Sequence, residues 1–414
     1  MKSDVLIVYG SLNSVPSPEG AAPAKVIFET VESLNDSRFK VLSNYNPKLK
    51  SFSYNRDVFR HVRSNFMDTL VLWILKLIYP YKKRKQKFIT SADKQLLYFI
   101  SVCRFLFFNG NKKIIVHVSV GLVNMIKLFF PKREVVFFHH GTSLHTKYNE
   151  QQWLELISNS KAIFGVNKIA LEKANNTFSN QLKTTRYFGI PNAIVPKVTL
   201  EQSIGYYKNR SYGTNTFVFA FSGRICVEKG VLNLLKAFQQ VYDQNKNVRL
   251  IVFGGAGAIG KYDKKTSYIE KCLNFSEDHK LPIEFTGYIE NNDLIKSLSQ
   301  IDTLILPTDN KRSEEGMPLC LIEAISLGKP IIATNSGGNS EVVEDNVNGY
   351  LINSNPYIDE LAEAMLKMSL DKARYAKFSK AAYASYIENH TYKKYTKKFT
   401  DILSQISYIE NGKR

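Results

Sequence analysis

The sequence contains little cysteine. Only four of its 414 residues are cysteines, and Cys103, Cys226, Cys272 and Cys320 form no C-x-x-C pair. This spacing excludes a disulfide-stapled scaffold and indicates free thiols in a reducing compartment. A cytoplasmic location is therefore expected.

Long apolar runs are also missing. No stretch of 18 apolar residues occurs, and the nearest candidate, Leu70 to Tyr81, is interrupted by Lys76 and Pro80. A helix that crosses a bilayer needs about 20 apolar residues, so none is expected. The apolar segment Val5 to Tyr9 near the N-terminus is too short for the core of a secretory signal.

Acidic residues are scarce relative to basic ones. Lys and Arg total 56 against 37 for Asp and Glu, which gives a net charge of +19 with neutral histidines. Such a surplus favours an anionic partner, namely phosphate groups, a membrane surface or nucleic acid. Hydrophobic residues make up 44% of the chain, which excludes a disordered or collagen-like protein. The length indicates two domains.

Apolar segments of strand length alternate with helical patterns in two series. The first series comprises Val5–Tyr9, Lys113–Val118, Val135–Phe138 and Ala162–Val166. The second comprises Phe217–Phe221, Arg249–Phe253, Ile283–Phe285, Thr303–Leu306 and Pro330–Thr334. Continuous apolar strands separated by helices are typical of parallel sheets covered on both faces. Two doubly wound α/β domains are predicted, joined near the polar segment Tyr207 to Thr216.

The most informative pattern is SEEGMPLCLIEAISLGKPIIATNSGG, from Ser313 to Gly338. Glu315 and Glu323 lie eight positions apart, the first in a turn after a strand and the second in the helix that follows. The start of that helix presents unpaired N–H groups and the positive end of its dipole, which favour an anion. Two solvated carboxylates would be the simpler interpretation of an arbitrary pair, but the surrounding sequence is far more specific.

Two further segments place charged or titratable side chains at the ends of strands. Arg224 and Lys229 follow a strand within FVFAFSGRICVEKGVLNLLKAF, where a planar guanidinium and an ammonium can converge on one diphosphate. In FFHHGTSLHTK, a histidine stands at the edge where open α/β sheets bind ligands. His140 is the first candidate and His139 the alternative, because neighbouring residues at a strand end point to opposite sides.

Together these segments resemble the retaining nucleotide-sugar glycosyltransferases of family 4, which have the GT-B fold. The likeness is strongest over residues 217–355. It implies that Glu315 contacts the donor sugar and that Glu323 contacts the ribose. It also implies that Arg224 and Lys229 hold the diphosphate, and that His140 lies beside the sugar in a cleft between the domains.

The same resemblance assigns binding positions in four loops. These are a small-residue loop after the first strand, a glycine-rich turn of the second domain, a loop bordering the nucleobase, and the backbone before and at the start of the helix that contains Glu323. In that order the residues are Gly20; Gly255; Tyr288 and Ile289; and Gly316, Met317 and Leu319.

Gly255, Gly257 and Gly260 also form G-x-G-x-x-G after a strand, the fingerprint of dinucleotide binding. The motif comes late in its domain, and no acidic residue ends a strand about 20 residues later. A tight glycine-rich turn is therefore favoured, and an NAD(P)-dependent oxidoreductase is the alternative function.

The segment Leu70 to Lys87 joins an apolar run containing Trp73 to a basic cluster. The cluster consists of Lys82, Lys83, Arg84, Lys85 and Lys87. Such a segment fits either an anionic bilayer surface or a core helix followed by a solvated loop. No nucleic-acid motif accompanies the charge, so nucleic acid is not expected, and a non-catalytic basic binder is the other alternative.

The resemblance implies a domain arrangement, an activity and a location for the protein. Residues 1–207 form an acceptor-side Rossmann-like domain, residues 208–385 bind the nucleotide sugar, and residues 386–414 form a helix that returns to the first domain. The expected enzyme is a retaining hexosyltransferase that uses a UDP-sugar for a cell-surface glycan or glycolipid. No metal is expected, because the sequence has no Asp-x-Asp motif. Peripheral attachment to the inner face of the cell membrane is expected.

Overall fold

The computed structural model describes residues 5–409, except 19, 91, 143, 178–186, 212, 214, 257–265, 290 and 354–356. It divides into two compact units, Met1–Pro191 with Tyr392–Arg414 and Asn192–Thr391. Each unit contains one parallel sheet with helices on its faces, as the two series of apolar segments predict.

The first unit is built on seven strands. They are β1 (Val5–Tyr9), β2 (Phe39–Asn44), β3 (Phe59–Val62), β4 (Lys113–His117), β5 (Glu134–His139), β6 (Ala162–Gly165) and β7 (Tyr187–Gly189). The sheet order is β3-β2-β1-β4-β5-β6-β7. Its helices are α1 (Ala22–Leu34), α2 (Phe66–Ile78), α3 (Tyr81–Phe88), α4 (Asp93–Asn109), α5 (Val120–Phe129), α6 (Leu144–Lys147), α7 (Glu150–Asn159) and α8 (Lys168–Thr177).

The second unit is built on six strands. They are β8 (Phe217–Ser222), β9 (Val248–Phe253), β10 (Ile283–Gly287), β11 (Thr303–Leu306), β12 (Ile331–Thr334) and β13 (Gly349–Ile352), in the order β10-β9-β8-β11-β12-β13. Its helices are α9 (Leu200–Lys208), α10 (Val231–Gln244), α11 (Ser267–Asp278), α12 (Asn291–Ser299), α13 (Leu319–Ser326), α14 (Ile358–Leu370) and α15 (Lys372–Asn389).

The last helix, α16 (Tyr392–Gln405), belongs to the first unit, where it packs against α1. The buried Tyr408 that follows it lies with its hydroxyl 2.7 Å from the carbonyl oxygens of Ile114 and Glu134. These contacts anchor the C-terminal segment to β4 and β5, so the chain returns to its first domain as predicted.

Both sheets contain a topological switch point. Successive strands are added on one side of β1 and then on the other, beginning with β4. In the second sheet the corresponding reversal separates β8 from β11. Loops diverge from the carboxyl ends of strands at such a reversal, which is where open α/β sheets bind their ligands.

The interior strands of both sheets are almost completely buried. Every residue of β1, β6, β11 and β12 is buried, as parallel strands covered on both faces require. The apolar-segment criterion does not predict β2, β3, β7 or β13. Lys40 and Ser43 interrupt β2, Arg60 and His61 lie on the edge strand β3, and β7 has only three residues. The short edge strand β13 begins with Gly349.

Contrary to the sequence prediction, the segment Tyr207 to Thr216 does not link the two units but lies within the second unit. Helix α9 packs against α12 of the second unit, and Arg210 is buried there with its Nη1 2.7 Å from Oδ2 of Asp302. The division lies between Pro191 and Asn192 instead of between residues 207 and 208. At the other end it lies between Thr391 and Tyr392 instead of between residues 385 and 386.

None of the helices among the described residues is long and apolar enough to cross a membrane.

Candidate active site

The carboxyl edge of the second sheet brings together three glycine-containing loops. The N–H of Ile225, after β8, donates to the carbonyl of Gly255, after β9, at 2.8 Å. The N–H of Gly254 donates to the carbonyl of Gly287 at the end of β10, also at 2.8 Å. These bonds hold the three loops side by side, so their backbone groups form one continuous rim.

Gly254 shows why this rim needs glycine. Its φ is 130°, and a Cβ built on it would lie 1.9 Å from the carbonyl oxygen of Gly223. No side chain fits between the two loops at that distance, and this backbone region is one that other residues rarely adopt. The close approach of the two loops therefore explains the glycine at position 254.

Glu315 is held by three loops at the β8/β11 switch point. Its Oε1 accepts a hydrogen bond from Nζ of Lys229 at 2.5 Å and another from the hydroxyl of Thr308. Its carbonyl oxygen accepts the N–H of Gly338 at 2.7 Å. Within the described part of the chain, Oε2 accepts no hydrogen bond. The buried carboxylate is thus fixed through one oxygen, and the other remains available to a ligand.

Lys229 reaches Glu315 because the loop after β8 is bonded to the loop after β11. Lys229 ends a 3₁₀ turn, Val227–Lys229, and the N–H of Asp309 donates to the carbonyl of Glu228 at 2.9 Å. The next residue, Gly230, has a φ of 68°, and a Cβ there would lie 2.1 Å from the carbonyl oxygen of Pro307. Only glycine permits this contact between the loops.

The other predicted cation, Arg224, lies in the same loop and is exposed. It forms no ion pair with any residue that the structure describes. Lys229 is one-fifth exposed at its side chain. The loop after β8 therefore offers one ammonium already paired with a carboxylate and one guanidinium open to an anion.

Helix α13 begins next to Glu315. Pro318 precedes its first residue, and no side chain caps the N-terminal N–H groups. Uncapped N–H groups at a helix start are available to an anion. Met317 is buried, and its carbonyl accepts a hydrogen bond from Nδ2 of Asn192 at 2.9 Å. Gly316 and Leu319 are partly exposed, and Glu323 is buried within the helix.

The remaining predicted positions of the second unit lie on neighbouring loops. Tyr288, which is exposed, and Ile289 follow β10. Gly255 follows β9, which lies one strand away from the switch point, whereas a dinucleotide fingerprint follows the first strand of its fold. Gly257 and Gly260 lie outside the described residues.

In the first unit, His117 and His140 meet at the ends of neighbouring strands. Nδ1 of His117 lies 2.7 Å from Nε2 of His140, and both rings stack on Phe138. His139 is on the other side, near Phe137, and is buried. Burial lowers the pKa of His139 and of His140 to about 3, so both are neutral at pH 7. His140 is partly exposed, so its imidazole can donate or accept a hydrogen bond at pH 7, but it carries no charge.

The loops around the first switch point are tightly constrained. Val118, which follows β4, has a φ of 65°, an unusual conformation for a β-branched residue. A Cβ on Gly10, which follows β1, would lie 2.4 Å from Cβ of Ser119. The predicted Gly20 is exposed farther along the loop after β1, with a φ of 70°, two residues before α1 begins.

Three residues of these sites are absent from the sequence prediction. His117 ends a strand just as His139 does, so the criterion that selects His140 would have selected it too. Thr308 and Gly338 carry no comparable signal, because hydroxyls and glycines after strands are common. In the described residues, no group of three His, Cys, Asp or Glu side chains is placed to hold a metal ion.

Comparison with known proteins identifies the second unit. Residues 208–385 match the family model described as "Glycosyl transferases group 1". The matched range begins in α9 and ends in α15, so it contains both predicted glutamates and both predicted cations.

Two relatives are similar to this chain over part of their length. The lipopolysaccharide 1,2-N-acetylglucosaminetransferase of Salmonella typhimurium is 29% identical over 164 residues, 40% of this chain and 42% of that protein. The UDP-Gal:alpha-D-GlcNAc-diphosphoundecaprenol alpha-1,3-galactosyltransferase of Escherichia coli is 32% identical over 161 residues, 38% of each chain. The matched stretch thus spans about two-fifths of either relative.

A solved structure matches nearly the whole chain. HepE of Anabaena, crystallised in complex with UDP, aligns with a TM-score of 0.71 at 16% identity, covering 98% of this chain and all of that one. At this identity the similarity shows a shared fold. Residues 208–385 thus match the group 1 glycosyltransferases, and the whole chain has the GT-B fold that its sequence predicts.

Proposed function

We propose that this protein transfers a sugar from a nucleoside-diphosphate donor, preferably a UDP-sugar, to a hydroxyl group of a glycan or glycolipid. The anomeric configuration would be retained, and no metal would be required. The observation that carries the proposal is the meeting of Lys229 and Glu315 at the β8/β11 switch point. One cation and one carboxylate are thereby presented together at the sheet edge that binds ligands in this class of fold.

The diphosphate would be held by positive groups of the protein. Lys229, Arg224 and the uncapped start of α13 all belong to loops at this edge. As the bond to the sugar breaks, negative charge accumulates on the departing diphosphate, and fixed cations and N–H groups stabilise it. This arrangement supplies the charge that a metal ion provides in other enzymes.

The two glutamates would divide the donor between them. Glu315, fixed through Oε1 by Lys229 and Thr308, has Oε2 for a sugar hydroxyl. Glu323, within α13, would contact the ribose. Positive charge develops on the sugar as it flattens toward an oxocarbenium ion, and a nearby carboxylate stabilises it. Retention would follow from attack on the face that the leaving group departs.

His140 would contribute a hydrogen bond as a neutral imidazole, in the role that the family resemblance gives it. His117 is its partner at 2.7 Å and would fix which ring nitrogen carries the proton. Gly20, Gly255, Tyr288 and Ile289 would contact the donor chiefly through backbone groups.

The relatives favour a UDP-sugar and a cell-surface product. The Escherichia coli relative is named for UDP-Gal and a diphosphoundecaprenol acceptor, the Salmonella relative for lipopolysaccharide, and HepE was crystallised with UDP. We therefore propose an acceptor of the same class and a cytoplasmic enzyme that works at the inner face of the membrane.

A thermal-shift screen tests this function against an oxidoreductase. UDP, GDP, ADP, NAD and NADP are added separately in the presence of EDTA. One nucleoside diphosphate is expected to raise the melting temperature, because a ligand that binds only the folded state stabilises it. Stabilisation by NAD or NADP alone would contradict the proposal.

Arg224→Ala is expected to weaken nucleoside diphosphate binding by about 1.5–3 kcal/mol, the range for hydrogen bonds to charged groups. Calorimetric titration with UDP in EDTA measures the change. Arg60→Ala, which removes an exposed arginine of β3, is the control and should keep wild-type affinity. An unchanged affinity in Arg224→Ala would remove Arg224 from the site, and loss of all wild-type affinity in EDTA would contradict metal independence.

A further inference from the structure

One face of the first unit presents large apolar side chains to solvent. On α2, the exposed fraction is 81% for Phe66, 61% for Trp73 and 64% for Leu77. Four more apolar side chains of this helix are exposed, namely Met67, Leu70, Ile74 and Ile78. Single exposed apolar residues are ordinary on a protein surface, but a whole helix face of them indicates a partner.

The exposed apolar surface continues onto α4. Phe107 and Phe108 near the end of α4 are 71% and 76% exposed. Helices α2 and α4 run antiparallel, because Lys76 near the end of α2 pairs at 2.6 Å with Asp93, the first residue of α4. At the other end, Asp68 pairs with Arg104 at 2.9 Å. The two exposed phenylalanines therefore lie near the start of α2.

The outward residues of α2 are not needed to hold the helix in place. Leu72 and Leu75 are buried in the core of the first unit. Asp68 is buried, forms a capping box with Asn65 and accepts a hydrogen bond from Ser101. The inner face is thus fully packed and hydrogen-bonded. The sequence allows this segment to be either a core helix or a membrane-binding one, and the first interpretation holds only for the inner side of α2.

Helix α3 places basic side chains directly after this apolar face. Lys82, Lys83 and Lys85 are exposed, whereas Arg84 is buried and Lys87 bonds to Glu155. Residues 66–88 contain one acidic residue, Asp68, which is buried. The exposed part of α2 and α3 is therefore apolar and positively charged, without a carboxylate.

We propose that the exposed face of α2, α3 and Phe107–Phe108, here called the docking face, binds an anionic lipid bilayer. Helix α2 has 13 residues and a length of about 20 Å, which is too short to cross a bilayer core of about 30 Å. It lies in the plane of the interface, with Phe66, Trp73 and Leu77 in the acyl region and the lysines at the lipid phosphates.

Charge complementarity selects a bilayer over a second copy of the chain. A symmetric dimer through this face would bring Lys82, Lys83 and Lys85 of one copy to helices that expose no carboxylate, and the neighbouring Asp93 and Glu155 already pair with lysines. Anionic headgroups beside an acyl layer match both halves of the face. The inference rests on the proposed function, because it takes the membrane to be the partner that carries the acceptor.

Co-sedimentation with vesicles tests the docking face. The full-length protein is mixed with vesicles of phosphatidylcholine and phosphatidylglycerol, or of phosphatidylcholine alone, without nucleotide. Binding is expected to the anionic vesicles. The triple variant Lys82→Glu, Lys83→Glu, Lys85→Glu should bind them at least about tenfold more weakly. Its matched control is Lys372→Glu, Lys377→Glu, Lys380→Glu on α15, which makes the same charge change at exposed positions.

The contribution of the apolar side chains is measured separately, by tryptophan fluorescence and serine variants. The chain has two tryptophans, and Trp153 is buried, so a blue shift of emission on vesicle binding reports Trp73. The variant Phe66→Ser, Leu77→Ser should lose most of the binding, whereas Leu370→Ser, at an exposed position of α14, should not. Melting curves confirm that each variant is folded.

Three results would overturn the proposal. The first is that the wild type does not bind anionic vesicles, and the second is that both the charge-reversed and the serine variants bind them as strongly as the wild type. The third is a wild-type dimer in light scattering that Leu77→Ser converts to a monomer. UDP binding is measured separately without vesicles, so failure of the docking face and failure of the proposed enzyme function are distinguishable.

Discussion

Glu315→Gln is expected to lower kcat by about 100-fold or more while leaving the affinity for a nucleoside diphosphate nearly unchanged. Glu315 is assigned to the sugar, and contacts that tighten as the sugar approaches the transition state contribute to kcat. The amide keeps the size of the side chain and an oxygen for Lys229 and Thr308, so the loop retains its main contacts. Steady-state kinetics with the true donor and calorimetry with UDP measure the two quantities.

Glu323→Gln is the matched comparison. It makes the same chemical change eight positions later, at a buried position of α13. Because this residue is assigned to the ribose, its loss should weaken both UDP and the sugar donor. The assignment fails if Glu315→Gln weakens UDP as much as Glu323→Gln does, or if it keeps wild-type turnover.

Asp302→Asn is expected to reduce the free energy of unfolding by about 3–5 kcal/mol, the cost of leaving one member of a buried ion pair without its partner. Oδ2 of Asp302 accepts from Nη1 of Arg210 at 2.7 Å and from the N–H of Val218 at 2.8 Å. Its Oδ1 accepts the hydroxyl of Tyr207 at 2.5 Å. The side chain of Arg210 is fully buried, so water cannot replace the lost charge. Urea unfolding measures the loss.

Two further variants define this effect. Asp243→Asn removes the exposed partner of Lys246 and should cost less than about 1 kcal/mol, as surface pairs do. Replacing both buried partners, in Arg210→Met with Asp302→Leu, should recover part of the loss, because the guanidinium is no longer left without its carboxylate. A loss in Asp302→Asn no larger than that in Asp243→Asn would show that the pair does not anchor the segment after α9.

The sequence predicts the central strands of both sheets because their burial on two faces demands continuous apolar residues. It also predicts that Lys229 and Glu315 each follow a strand. It does not predict that they form a hydrogen bond, because β8 and β11 are neighbours in space with β9 and β10 between them in the chain. Strand order is a property of the packed sheet, and no local pattern near either residue encodes it.

Arg210 and helix α2 show two opposite ways in which a sequence pattern fails to predict burial. The segment around Arg210 is polar and rich in turn residues, so it has the pattern of a linker. Its burial depends on Asp302, which lies 92 residues later. Helix α2 is apolar enough for a core, yet α4 covers only one of its sides. In both cases a distant element decides whether the residue meets water.

Hydrogen–deuterium exchange with and without UDP locates the nucleotide on the chain and so tests the site at the β8/β11 switch point. Exchange is expected to slow in the loop after β8, which contains Arg224 and Lys229, and in the segment from Glu315 to Glu323. Protection confined to the first unit, or no protection by UDP, GDP or ADP, would contradict a nucleotide-sugar site at the β8/β11 switch point.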